Sequence, residues 1–162
     1  MGSTVRFNSV AVRPVIVESS LYNVEAQAAI VLKMVKHNMR YRIFHEASYN
    51  FSDLAQLYVK LNRLSEAKWF LLQSTMISRN ENDDKHTIAN LVSLASVKMT
   101  IGDSISARAD LVEARNMASA KGMQSDAADI SKKIILLDQS KTANTKPDIK
   151  YAENTITGKS AF

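Results

Sequence analysis

"GDSISARADLVEARNMASAKG", residues 102–122, carries alanine at 107, 109, 114, 118 and 120, with Leu111, Val112 and Met117 among them. A helix that needed only an apolar stripe would use larger side chains, since burying a leucine or valine gains roughly 1.5–3 kcal/mol. The spacing of Ala107, Leu111 and Ala114 therefore asks for a second reason. The same small, Leu, small pattern stands forty positions earlier in "NRLSEAKWFLLQSTMIS", as Ala67, Leu71 and Ser74. The correspondence runs on toward the N-terminus without a slip: Leu54 and Ala55 answer Leu94 and Ala95, Leu57 answers Val97, Leu61 answers Ile101, and Asn62 answers Gly102. Self-similarity at a fixed offset is the mark of a repeat architecture.

Composition agrees with a helical reading. The chain has 162 residues, 46% of them hydrophobic and 23% charged, which is the make-up of a folded domain with a core. Four glycines and two prolines are few for this length, so summed propensities favour helix nearly throughout and the fold class expected is all-α. The net charge of +5 is uneven: "KMVKHNMRYRIFH", residues 33–45, holds Lys33, Lys36, Arg40 and Arg42 without an acid, while "NENDDK" at 80–85 is acidic. The absence of cysteine rules out disulfides and thiolate metal sites. The longest apolar run is too short to span a bilayer, and no cleavable leader is visible. A soluble, cytoplasmic chain is favoured, with a periplasmic or secreted one left open by a leader removed earlier.

Along the chain, residues 1–21 read as an extended lead, β-branched and interrupted by Pro14. Residues 22–138 read as the helical domain. Its first helix runs from Tyr22 to about Asn38. The second, from about Arg40 to Leu61, has the strongest periodicity, because Phe44, Ala47, Phe51, Leu54, Tyr58 and Leu61 alternate spacings of three and four. Ser65 is a candidate cap for the helix carrying Trp69, and a fourth helix ends at Gly102. Ser104 is a candidate cap for the fifth helix, and a sixth covers about Gln124 to Leu137. Residues 139–162 lose periodicity and read as a disordered tail.

The paired pattern, Leu54-Ala55, Tyr58 and Asn62 with Ala67, Leu71 and Ser74, then Leu94-Ala95 and Gly102 with Ala107, Leu111 and Ala114, resembles the tetratricopeptide repeat (TPR). The resemblance covers about 50–137 well and 22–48 loosely. It implies antiparallel helix pairs stacked as a short right-handed α-solenoid, with small residues where helices touch. The period of forty exceeds the thirty-four usual for the family, as in its longer-repeat relatives. Lys98 also stands where Tyr58 supplies an aromatic, and no proline closes either pair.

Motifs for chemistry are incomplete. His37, His45 and His86 do not pair at helical spacing, and "HEASY" at 45–49 has Tyr49 where a zinc-protease helix needs its second histidine. "TGKS" at 157–160 lacks the first glycine of a phosphate loop, its place being taken by Glu153. Asn80, Asn82 and Asp84 alternate like calcium ligands, but Lys85 occupies the glycine position. No catalytic residue, metal or cofactor is expected, and the chain does not read as an enzyme.

The resemblance implies a protein-interaction module, a scaffold or adaptor that binds a peptide or partner protein on its concave face. With Leu54, Tyr58, Leu91 and Leu94 buried, the groove flank would present Ser52, Gln56, Val59 and Lys60, then Val92, Ser96, Met99 and Thr100. Ser52 and Gln56 replace the Lys and Asn of the family's carboxylate clamp, so binding of chaperone tails is not implied. The alternatives are a regulatory or sensor TPR module of a signalling or transcription system and, less favoured, an RNA-associated helical repeat using the basic patch Lys33, Lys36, Arg40 and Arg42. Self-association through end helices is a further option.

Overall fold

The computed structural model describes residues 16–144. They form six α-helices: α1 (Ile16–Arg40), α2 (Phe44–Lys60), α3 (Leu64–Asn80), α4 (Asp84–Ile101), α5 (Ser104–Ala120) and α6 (Gln124–Asn144). No strand occurs among the described residues. The described residues group into two compact units that divide between Ile77 and Ser78, near the end of α3.

Helix ends differ from the periodicity in instructive ways. α1 already begins at Ile16, inside the stretch read as an extended lead, and continues through Arg40 with no glycine or proline to stop it. α2 consequently starts at Phe44 rather than Arg40. α6 runs to Asn144, past Leu137, and the remainder of the expected tail lies outside the described residues. Neither serine proposed as a cap acts as one. Asp103 caps α5, its side chain accepting from the Ser106 N–H at 3.1 Å, and Asp83 caps α4 by accepting from the His86 N–H at 3.0 Å. Carboxylates at these positions also complement the positive helix N-terminus. Ser65 sits one residue inside α3.

The corners between helices share one geometry. Arg42, Asn62, Asn82, Gly102 and Gly122 all have positive φ, at 59°, 56°, 57°, 95° and 74°, and they are spaced twenty residues apart. After each, the next N–H donates back to the carbonyl five positions earlier: Ile43 to Asn38, Arg63 to Tyr58, Asp83 to Ser78, Asp103 to Lys98 and Met123 to Ala118, at 2.8–2.9 Å. This is the six-to-one bond of a Schellman ending, which satisfies carbonyls the helix leaves orphaned. Five residues beyond each corner stands a small, buried side chain: Ala47, Ala67, Thr87, Ala107 or Ala127. The sequence offset of forty is thus two turns of a structural period of twenty.

At Gly102 a Cβ would meet no atom within 4 Å, so an alanine there is opposed by the backbone alone. Gly102→Ala is expected to cost about 1–2 kcal/mol, the penalty of a left-handed L-residue, read as a lowered denaturation midpoint. Gly122→Ala should behave alike.

In the N-terminal unit α1 packs on α2. α2 and α3 are clasped by buried serines, the Ser48 hydroxyl donating to the Ser74 carbonyl at 3.0 Å and the Ser74 hydroxyl to the Ser48 carbonyl at 2.7 Å. Reciprocal bonds of this kind satisfy polar groups that would otherwise be costly inside a core. Above them Tyr58 meets Phe70 edge-on at 4.9 Å, and Phe51 lies 6.2 Å from both Phe70 and Trp69.

In the C-terminal unit α5 packs against both α4 and α6. Ala107, Ala114 and Ala118 are fully buried and Leu111 nearly so, in one cluster with Leu91 and Ala95 of α4 and Ile130 and Ile134 of α6. A helix held from two sides needs small residues at its contacts, because they let the axes approach toward the short end of the 8–10 Å range. This explains the alanines of 102–122. Lys98 pairs with Asp110 across α4 and α5 at 2.7 Å, and Arg108 donates twice to Asp138 of α6 at 2.9 and 3.1 Å. Lys121 just past the end of α5 pairs with Asp84 at the start of α4, so these two helices run antiparallel.

Candidate functional site

Each unit contains a groove that includes residues of the expected binding flank. In the N-terminal unit α1 and α2 border a cavity of about 350 Å³ lined by Gln27, Ile30, Val31, Asp53, Gln56, Leu57 and Lys60. In the C-terminal unit α4 and α6 border one of about 370 Å³ lined by Lys85, Ile88, Ala89, Val92, Asp126, Asp129 and Ile130. Both have an apolar floor and a charged rim, the composition of a site that grips by burial and selects by charge.

Of the expected residues on α2, Gln56, Val59 and Lys60 are exposed, and Gln56 and Lys60 line the groove. Ser52, expected on the exposed flank, is buried, and its hydroxyl donates to the Tyr49 carbonyl at 2.9 Å. One step of helical register accounts for the miss, since Ser52 follows Phe51 at the edge of the buried face. On α4, Val92 is half-buried and lines the groove, while Ser96, Met99 and Thr100 are exposed. Lys85, Ala89, Val92, Ser96 and Met99 lie at i, i+4, i+7, i+11 and i+14, a single stripe that extends the groove along α4. The Thr100 hydroxyl is turned back onto the Ser96 carbonyl at 3.0 Å.

The facing residues, Gln27, Ile30 and Val31 on α1 and Asp126, Asp129 and Ile130 on α6, escape a reading of sequence alone. Which helix flanks which is a tertiary fact, and the repeat offset reports only that positions are equivalent. On the rim of the second groove Asp129 is bridged by Lys132 at 2.9 Å, a fully hydrated pair, and Lys85 supplies the opposite sign on α4.

The basic patch is exposed throughout: Lys33, Lys36 and Arg40 on α1, and Arg42 in the following corner. His37 and His45 do not converge with a third ligand. Their rings lie 4.6 Å from Tyr41 and 5.0 Å from Tyr49, and His86 is buried in the first turn of α4. Among the described residues no three His, Asp or Glu side chains gather as a metal site would require. What the arrangement provides is stripes of exposed side chains along the helices. Comparison of the chain with protein-family models, curated proteins and solved structures finds no match.

Proposed function

We propose that the chain is a protein–protein interaction module of the tetratricopeptide type, its helix pairs stacked as a short right-handed solenoid whose concave face holds a peptide or helix of a partner. The observation that carries this reading is the α4/α6 groove, where Ile88, Val92 and Ile130 form an apolar floor between Lys85 on one side and Asp126 and Asp129 on the other. Support comes from the register of buried small residues, Ala67 with Ala107 and Ser74 with Ala114, which are buried alike in the two units as a repeat requires. A preformed groove leaves little to order on binding, so affinity is not spent on reorganising the module. The module has no chemistry of its own in this reading and works by holding its partner.

The test is capture of partners from a lysate, quantified by mass spectrometry. Gln56→Glu with Lys60→Glu addresses the first groove, and Ser96→Glu with Met99→Glu the stripe that extends the second. These sites are exposed, so stability should change by no more than about 0.5 kcal/mol and circular dichroism should stay native. Loss of the same proteins from both variants is expected; capture equal to wild type by both would sink the reading.

A further inference from the structure

The forty-residue register makes α1 the counterpart of α3 and α5, and α6 the counterpart of α2 and α4. In the two complete pairs the first helix meets the second through fixed positions. Ser48 bonds Ser74 and Tyr58 meets Phe70 between α2 and α3, and Lys98 pairs with Asp110 between α4 and α5. On α1 the positions of Phe70 and Ser74 are taken by Ile30 and Met34, which are 60% and 47% exposed where Phe70 and Ser74 are buried. On α6 the position of the buried Ala55 and Ala95 is taken by Ile135, 55% exposed, and Ala128 is exposed where Ser48 and Ile88 are buried. α1 thus shows the face that the second helix of a pair turns to its first, and α6 the face that the first turns to its second.

Each open face fits the other kind of helix, and the flanking residues of the same chain do not supply one in register. A helix preceding α1 would need a corner at position 22, twenty before Arg42, but α1 runs unbroken from Ile16 through that position. A helix following α6 would need a corner at 142, and α6 continues to Asn144. Pro147 also stands forty positions after Ala107, whose N–H donates to the Asp103 carbonyl as that of Ala67 does to Arg63, and proline has no N–H to give. A second copy supplies both partners, since it brings an α6 to every α1. Charge favours this pairing over two copies of α1. The latter would bring Lys33, Lys36 and Arg40 against their own kind, whereas residues 124–144 carry three Asp and three Lys.

We propose that copies of this chain associate head to tail, the Ile135 face of α6 in one seated antiparallel on the Ile30 and Met34 face of α1 in the next. In the register of the complete pairs, Ala128 lies opposite Met34 and Asp138 opposite Ile30. The small residue makes room for the long one, and Asp138 already has its partner in Arg108 at 2.9 and 3.1 Å. The contact joins unlike surfaces, so one face of each kind stays free and growth passes the dimer unless a ring closes. Ile30 also lines the first groove, so assembly takes up that wall of it and leaves the α4/α6 groove to a partner. Assembly rests on the repeat register of the proposed module, not on the occupant of its α4/α6 groove.

The experiment is sedimentation equilibrium of the purified full chain from about 10 μM to about 1 mM, the weak end of ordinary affinities. The average mass should rise with concentration from 18.0 kDa past that of a dimer. Ile30→Asp and Ile135→Asp, both at exposed sites, should keep native circular dichroism and each lower the association constant at least about 30-fold, the loss typical of a central interface residue. Mixed in equal amounts they should form a one-to-one dimer that grows no further, because one variant keeps its α6 face and the other its α1 face. Met34→Asp and Ala128→Asp give a second pair of variants on the same two faces. Ser96→Glu with Met99→Glu should assemble like wild type, so a failure of groove capture and a failure of assembly are told apart. A mass fixed at 18.0 kDa up to about 1 mM overturns the proposal. So does wild-type assembly by either single variant, as a contact between two like faces would give, or a mixture that stays monomeric.

Discussion

Lys98→Ala is expected to destabilise the protein by about 2–3 kcal/mol, because it strands the Asp110 carboxylate in a site that is largely closed to water. Both side chains of the pair are only 13–14% exposed. Burial pushes the Asp110 carboxyl above the ordinary aspartate range, and the Lys98 ammonium pulls it back only in part. The sign follows from linkage. A carboxyl raised in the folded state keeps its proton to higher pH than in the unfolded chain, so it increasingly opposes folding as pH rises through the carboxylate range. Without Lys98 that opposition should grow, and Lys98→Ala should lose more stability at neutral pH than in acid. The forty-residue offset supplies a rescue. Lys98 and Asp110 occupy the positions that Tyr58 and Phe70 fill in the preceding helix pair, where the rings meet edge-on at 4.9 Å. The double replacement Lys98→Tyr, Asp110→Phe should therefore recover most of the loss, since exchanging a buried ion pair for well-packed apolar groups is often neutral or stabilising. Urea denaturation of the two singles and the double decides it: additive losses would mean that the positions are not equivalent.

Ala107→Leu is expected to cost about 1–3 kcal/mol by overpacking. The residue is fully buried, on the helix that is packed against both α4 and α6, so three extra carbons must push against its neighbours. For a chain of this length each kcal/mol lowers the melting temperature by roughly 2–4 °C. Ala109→Leu is the control, since Ala109 is exposed two positions away on the same helix. Equal melting temperatures for the two variants would remove Ala107 from the contact.

The helical class and the forty-residue register are legible in the sequence because they rest on residue size at fixed spacing, which packing enforces directly. Leu54 and Leu94, Ala55 and Ala95, and Leu71 and Leu111 are buried alike, as the offset requires. The shorter period of twenty is hidden because its corner residues differ in type. Arg42 and Asn82 adopt the same left-handed turn as Gly102, and their identities do not announce it. Lys98 reads in sequence as a defect in the repeat, and only the proximity of Asp110 turns it into a substitution of one pair for another. The groove flank is half legible. Gln56, Lys60 and Val92 follow from the stripe opposite the core, but Ser52 is lost to a local hydrogen bond, and the α1 and α6 walls depend on which helices are neighbours.

The equal spacing of the corners constrains how such a chain can change in length. One residue inserted within a helix turns everything after it by about 100°, which would carry positions such as Ala107 and Leu111 from the core toward water. Removing one helix with its corner keeps the rotation but reverses the direction of the helices that follow it within the unit, since α4, α5 and α6 alternate in direction. Only a whole pair, two corners and the helices between them, can be gained or lost while each remaining side chain keeps both its face and its heading. Lineages of this protein should therefore differ in length by steps of forty residues, with single insertions gathered at the ends of the chain.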